Sequence, residues 1–186
     1  MKKPLKKAKS AVSKIDAGKD VHLKFHYIMF IIISAVISYL ALFLKFPNEW
    51  SVIVNVVLLV LLICNFKSKE GLLVVISAMI LSILTLPITI LSLPSSLTVG
   101  LMIFVINIVL MVLIIFGLKH LKMWGLYLTL AVFALSIISL VFTSLSYIQG
   151  FLPDLFYVSV LLRYLTMVLF YVLSGWFLLK HKGYFS

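Results

Sequence analysis

Long apolar runs without a charge recur along almost the whole chain, and nothing else in the sequence restricts the possible folds as much. A helix needs about 20 such residues to cross a hydrocarbon core. Lipid cannot satisfy a bare backbone, so a spanning chain must be helical or a closed barrel. The runs here are apolar on every side, without the alternation over about 10 residues that a barrel strand shows. Composition agrees: 64% of residues are hydrophobic and 11% charged. A soluble domain carries about a quarter charged residues, so this chain lacks the polar side chains to coat a water-soluble particle.

Six runs read as spans: Phe25 to Leu44, Trp50 to Phe66, Gly71 to Leu93, Leu97 to Leu118, Met123 to Tyr147, and Leu155 to Leu179. The predicted fold class is an all-α membrane protein of six transmembrane helices. The connections are short, so neighbouring helices are expected as three antiparallel hairpins. Residues 1–24 form a basic tail, 25–179 the transmembrane domain and 180–186 a short second tail. About 24 residues precede the first run and no small-residue cleavage site follows it, so that run is expected to remain as a span rather than act as a signal peptide.

The lysines give the direction. Lys2, Lys3, Lys6, Lys7, Lys9, Lys14, Lys19 and Lys24 precede the first span. Lys67 and Lys69 lie between spans two and three, Lys119 and Lys122 between four and five, and Lys180 and Lys182 after span six. The three opposite loops hold only Lys45. Basic residues near span ends stay on the cytoplasmic side, so both termini are expected in the cytosol, in the plasma membrane. The opposite loops also resemble one another: Phe46-Pro47-Asn48, Leu93-Pro94-Ser95 and Leu152-Pro153-Asp154. Proline disfavours helix in the residue before it, and Asn, Ser or Asp can cap the next helix.

Small and polar residues recur at helical spacing on spans one (Ser34, Ser38, Ala41), three (Gly71, Ala78, Ser82, Thr85, Thr89, Ser92) and five (Gly125, Thr129, Ser136, Ser139, Thr143, Ser146). Small residues let helix backbones approach where lipid gives no hydrophobic drive to associate. These three spans are therefore expected inside the bundle, with spans two and four more lipid-facing. Pro87 within span three is expected to kink it and to free the carbonyl near Ile83.

Arg163 is the only charge well inside a span. Eight residues into span six places it about 12 Å below that span's outer end, at an insertion cost of roughly 2.5 to 3.5 kcal/mol. Ser159, Arg163, Thr166 and Ser174 share a face. Asn107, Asn55 and the carbonyl freed by Pro87 are the expected neighbours at that depth, since no carboxylate lies deep in any span. The candidate ligand-binding set is thus Arg163, Asn107, Asn55, Ser159 and Thr166.

Other chemistry is sparse. No HExxH, GxSxG or phosphate-binding glycine loop is present, and no cofactor is called for. His22, His26, His120, His181 and Cys64 fall near the basic boundary, but interfacial histidine is common and only Glu70 accompanies them as an acid, so no metal site is assigned. The lone cysteine cannot form an internal disulfide. The expected partners are the bilayer, anionic lipids at the basic N-terminal tail and a membrane-protein partner; no nucleic-acid motif appears. The reading that follows is a non-enzymatic membrane component or subunit. The alternative is a transporter or substrate-capture protein binding an anionic solute or lipid through Arg163. A lipid-modifying enzyme is the distant third.

Overall fold

A computed structural model of the protein describes residues 23–44, 47–91, 97–149 and 155–186. Within them the chain is all-helical, with no strand. The elements are α1 (Phe25–Phe43), α2 (Pro47–Cys64), α3 (Glu70–Leu91), α4 (Leu97–Lys119), α5 (Met123–Gln149) and α6 (Leu155–Lys180), then a 3-10 turn over Lys182–Tyr184. Helices α1, α5 and α6 are long and apolar enough to cross a membrane, over Phe25–Phe43, Met123–Ser144 and Val158–Lys180. The described apolar stretches of the other three are shorter: Asn48–Cys64, Glu70–Thr85 and Phe104–Lys119. The N-terminal tail before Leu23, Lys45, the turns around Pro94 and Pro153, and Asp154 lie outside the described residues.

The largest difference from the expected boundaries is at α2, which begins at Pro47 rather than Trp50. Proline suits the first helical position because its missing N–H has no intrahelical acceptor there and its φ is already helical. Asn48 therefore stands inside the first turn. At the far end, Asn65 Nδ2 donates to the Leu61 carbonyl (2.9 Å) and covers the end of α2. Ser68 Oγ accepts from Glu70 N (3.3 Å) and caps α3. Helix α3 continues past Pro87 to Leu91; the Pro87 side chain lies outside the described residues.

Helix α3 is the core of the bundle. Every side chain from Leu72 to Ile76 is buried, as are Ser77, Ala78 and Met79. It packs against α1, α2 and α4, while α6 packs against α2 and α5. The expectation of an interior made by α1, α3 and α5 holds for α3. Helix α1 lies against α2 and α3 and buries Ser34 and Ala41 of its predicted seam, with Ile32, Val36 and Leu40 exposed on its other side. Helix α5 buries Gly125 and Thr129 of its small-residue stripe but exposes Ser139. Helix α6 also buries a stripe, through Thr166, Phe170, Ser174, Phe177 and Leu178.

Glycines set the closest approaches. A Cβ on Gly71 would stand 2.5 Å from the Phe177 ring, so the missing side chain makes the seat for that ring. A Cβ on Gly117 or Gly125 would meet the backbone of the other at 2.5 Å, so α4 and α5 cross in backbone contact. The corner between them turns at Leu121, whose φ of 52° is left-handed. Lys122 N donates to the Gly117 carbonyl (2.8 Å), as in a helix-ending Schellman turn. A non-glycine residue pays for that φ; here the Leu121 side chain is fully buried in return.

Side-chain pairs fix directions. Lys24 reaches Glu70, and Tyr39 Oη donates to the Leu84 carbonyl (2.8 Å), so α1 and α3 run parallel. Asn55 meets Thr166, and Phe66 meets Phe177 with ring centroids 5.6 Å apart, so α2 and α6 also run parallel, in a constant register of 111 positions.

Candidate functional site

The α2–α6 register decides what Arg163 can touch. Asn55 opposite Thr166 and Phe66 opposite Phe177 place Asn48 level with Ser159, one turn before Arg163. That is about 6 Å along the axis. Helical side chains tilt toward the helix N-terminus, and arginine's long stem extends the reach. Arg163 Nη1 accordingly donates to Asn48 Oδ1 at 3.1 Å. Its Nε is buried and has no hydrogen-bond partner. Arg163 makes no ion pair among the described residues; the only one there joins Lys24 to Glu70. A hydrogen bond to a charged group is worth about 1.5–3 kcal/mol, comparable with the insertion cost of the arginine.

Two more predicted residues join this interface. Asn55 Nδ2 donates to Thr166 Oγ1 (3.5 Å), and Thr166 Oγ1 donates to the Arg163 carbonyl (2.9 Å). Amide, hydroxyl and backbone thus form a short chain beside the guanidinium. Ser159 is half-buried on the same helix, one turn earlier.

Asn107 belongs elsewhere. It lines a cleft of about 390 Å³ between α4, α5 and α6, together with Ser136, Ser139, Met167 and Tyr171, and Arg163 takes no part in it. The predicted set therefore divides between two places. The residue that sequence reasoning missed as a contact is Asn48. It was read as a capping type in a turn; Pro47 as a helix-starting residue is the feature that would have moved it into α2.

Six hydroxyls on α1, α3 and α5 are satisfied within their own helices, whereas Ser174 Oγ on α6 is buried with no hydrogen-bond partner. Ser38, Ser77, Ser82, Thr85, Thr129 and Thr143 each donate to the carbonyl four residues earlier, at 2.7 to 2.9 Å. A hydroxyl bonded to its own helix leaves a small, quiet surface for packing. Across α1 and α2, Trp50 Nε1 donates to Ser38 Oγ (3.1 Å).

The basic end of the molecule is a second polar region. The Lys24 ammonium beside Glu70 holds that carboxyl below the ordinary glutamate range. His181 Nδ1 lies 2.9 Å from the Phe177 carbonyl, and its ring packs 4.4 Å from Phe177 and 5.1 Å from Tyr184. No group of three or more His, Cys, Asp or Glu side chains comes together among the described residues. No protein-family model, no curated protein and no solved structure matches this chain.

Proposed function

We propose that the chain is a six-span, multi-pass protein of the plasma membrane, built from three antiparallel hairpins with both termini cytosolic, and that it serves as a non-catalytic component of a larger membrane assembly. The observation that carries the functional part is the use made of Arg163. The one charge deep in the bundle binds Asn48 across the α2–α6 interface, where it serves packing. Six hydroxyls on α1, α3 and α5 bond to their own helices, which also favours packing over a polar passage. The parallel pairs α1/α3 and α2/α6 support the hairpin topology, since each requires an even number of reversals between its members.

Gentle detergent purification followed by mass spectrometry of everything retained tests this reading. Stoichiometric copurifying membrane proteins support it. A chain that emerges alone and monomeric contradicts it.

One observation favours a second reading, capture of an anionic solute or lipid group at Arg163: its Nε is buried without a partner. The same purification then yields a small anion or lipid that disappears in Arg163→Gln.

A further inference from the structure

The hydroxyls of α5 divide into two kinds. Thr129, Thr143 and Ser144 donate to carbonyls of their own helix. The Ser136 and Ser139 hydroxyls make no hydrogen bond among the described residues, and neither does the Tyr171 hydroxyl on α6. All three side chains line one space, the cleft of about 390 Å³ between α4, α5 and α6. Asn107 adds an amide from α4, and Leu110 and Met167 supply apolar wall. The Tyr171 ring is held in place by stacking on Phe133, with centroids 5.0 Å apart.

The cleft follows from the way the helices cross. Helices α4 and α5 are in backbone contact at Gly117 and Gly125. Asn107 and Ser136 lie 10 and 11 residues from that crossing, about 15 Å along each axis. Helices that cross at about 20–40° have separated by about 5 Å or more over such a length. Ser136 stands midway along α5 (Met123–Gln149), about 20 Å from either end. The polar groups therefore meet in the most apolar layer of a membrane, and no charged side chain lines the cleft.

A hydroxyl taken out of water costs free energy until an acceptor is supplied, and hydrocarbon supplies none. An acyl tail lying in the cleft leaves the three hydroxyls without an acceptor. A phosphate headgroup stays at the interface, far from Ser136, and would find no opposite charge here. A small uncharged head with carbonyl oxygens, carried on an apolar body, meets both the hydroxyls and the apolar wall. A few polar groups set in a mainly apolar concavity of this size are the usual makings of a small-molecule site.

We propose that the α4–α5–α6 cleft binds the uncharged, carbonyl-bearing head of a membrane-soluble lipid, with Ser136, Ser139 and Tyr171 donating to it. Quinone rings and the esters of diacylglycerol both carry that chemistry. The site rests on the membrane-spanning reading, but not on membership of an assembly or on which way the chain is inserted.

The test places the full chain in phosphatidylcholine nanodiscs with one of three photoreactive probes. These are a decyl-tailed azidoquinone, a diacylglycerol with a diazirine in one acyl chain, and phosphatidylcholine with the same diazirine chain. Adducts are mapped to residues by mass spectrometry. The quinone or the diacylglycerol is expected to label the cleft walls saturably, and whichever does so identifies the source of the carbonyl. The phosphatidylcholine probe is expected to label without saturation. A neutral hydrogen bond is worth about fivefold in affinity, so S136A/S139A is expected to raise the half-saturating concentration about 25-fold. T143A removes a hydroxyl one turn farther along α5, outside the cleft, and is expected to change nothing. The two serine hydroxyls bond to no described residue, so S136A/S139A is also expected to keep the wild-type melting midpoint in lipid-free detergent, which loss of a packing contact would lower. No saturable adduct from either carbonyl probe, or saturable labelling that S136A/S139A leaves unchanged, overturns the site. A chain that stays outside the discs overturns it together with the membrane reading, whereas one that enters them and gives no saturable adduct overturns the site alone.

Discussion

The guanidinium of Arg163 meets its partner one helical turn nearer the start of α6 than its own Cα, and that displacement is what makes the residue tolerable. Helical side-chain direction carries the charge toward Asn48, and Asn48 accepts from Nη1. Removing either member leaves the other half of a partly buried polar pair unsatisfied. Asn48→Ala and Arg163→Ala are each expected to lower stability by about 1–3 kcal/mol, read as the melting midpoint in detergent. Arg163→Gln keeps a donor and is expected to lose less than Arg163→Ala. A double-mutant cycle isolates the pair: Asn48→Ala in the Arg163→Ala background is expected to cost clearly less than in wild type. Charge-pair behaviour at the opposite end follows from Glu70. Its carboxyl is held below the ordinary range by Lys24, so the contribution is fully present above about pH 4.3 and is lost as pH falls through the lowered value. Both side chains are well exposed, and the effect is small. The melting difference between wild type and Glu70→Gln is expected to favour wild type at pH 6 and to vanish in strong acid.

At the scale of helices, the decisive contacts are those where a side chain is missing. Gly125→Leu has no room, because even a Cβ would press on the Gly117 backbone. It is expected to force α4 and α5 apart and to destabilise by about 1–3 kcal/mol or more, whereas Gly183→Ala, with open space around it, is expected to be neutral. Thermal unfolding of the two variants side by side checks this. The positions of the helices were legible because the apolar runs and the turn residues that punctuate them mark the helix ends directly. The seam on α3 was legible too, because Gly71 and Ala78 recur on one face and both face neighbours. What could not be read from spacing is which helix of similar apolar character goes inside. Helices α5 and α6 carry comparable stripes, and the Phe177 seat on Gly71 and the α2 register decide which face of α6 is buried. Arg163's partner was hidden for the same reason. It depends on the 111-position offset between α2 and α6, a tertiary quantity, and on a helix that starts at Pro47 instead of three residues later.

For the whole molecule, the separation of charge is the organising fact. The described residues gather Lys24, Lys67, Lys69, Lys119, Lys122, Lys180 and Lys182 at helix ends, and Arg163 alone stands within a helix at depth. Three helices are long and apolar enough to cross a membrane; the six-span reading requires α2, α3 and α4 to cross as well. Under that reading every lysine but Lys45 lies on one side. The most direct measurement is labelling of single cysteines by a membrane-impermeant maleimide, in a Cys64→Ser background. Lys45→Cys, Ser95→Cys and Asp154→Cys are predicted to label in intact cells, and Lys19→Cys, Lys119→Cys and Lys182→Cys only after permeabilisation. Labelling of any of the second group from outside, or protection of any of the first, would contradict six spans with both termini inside.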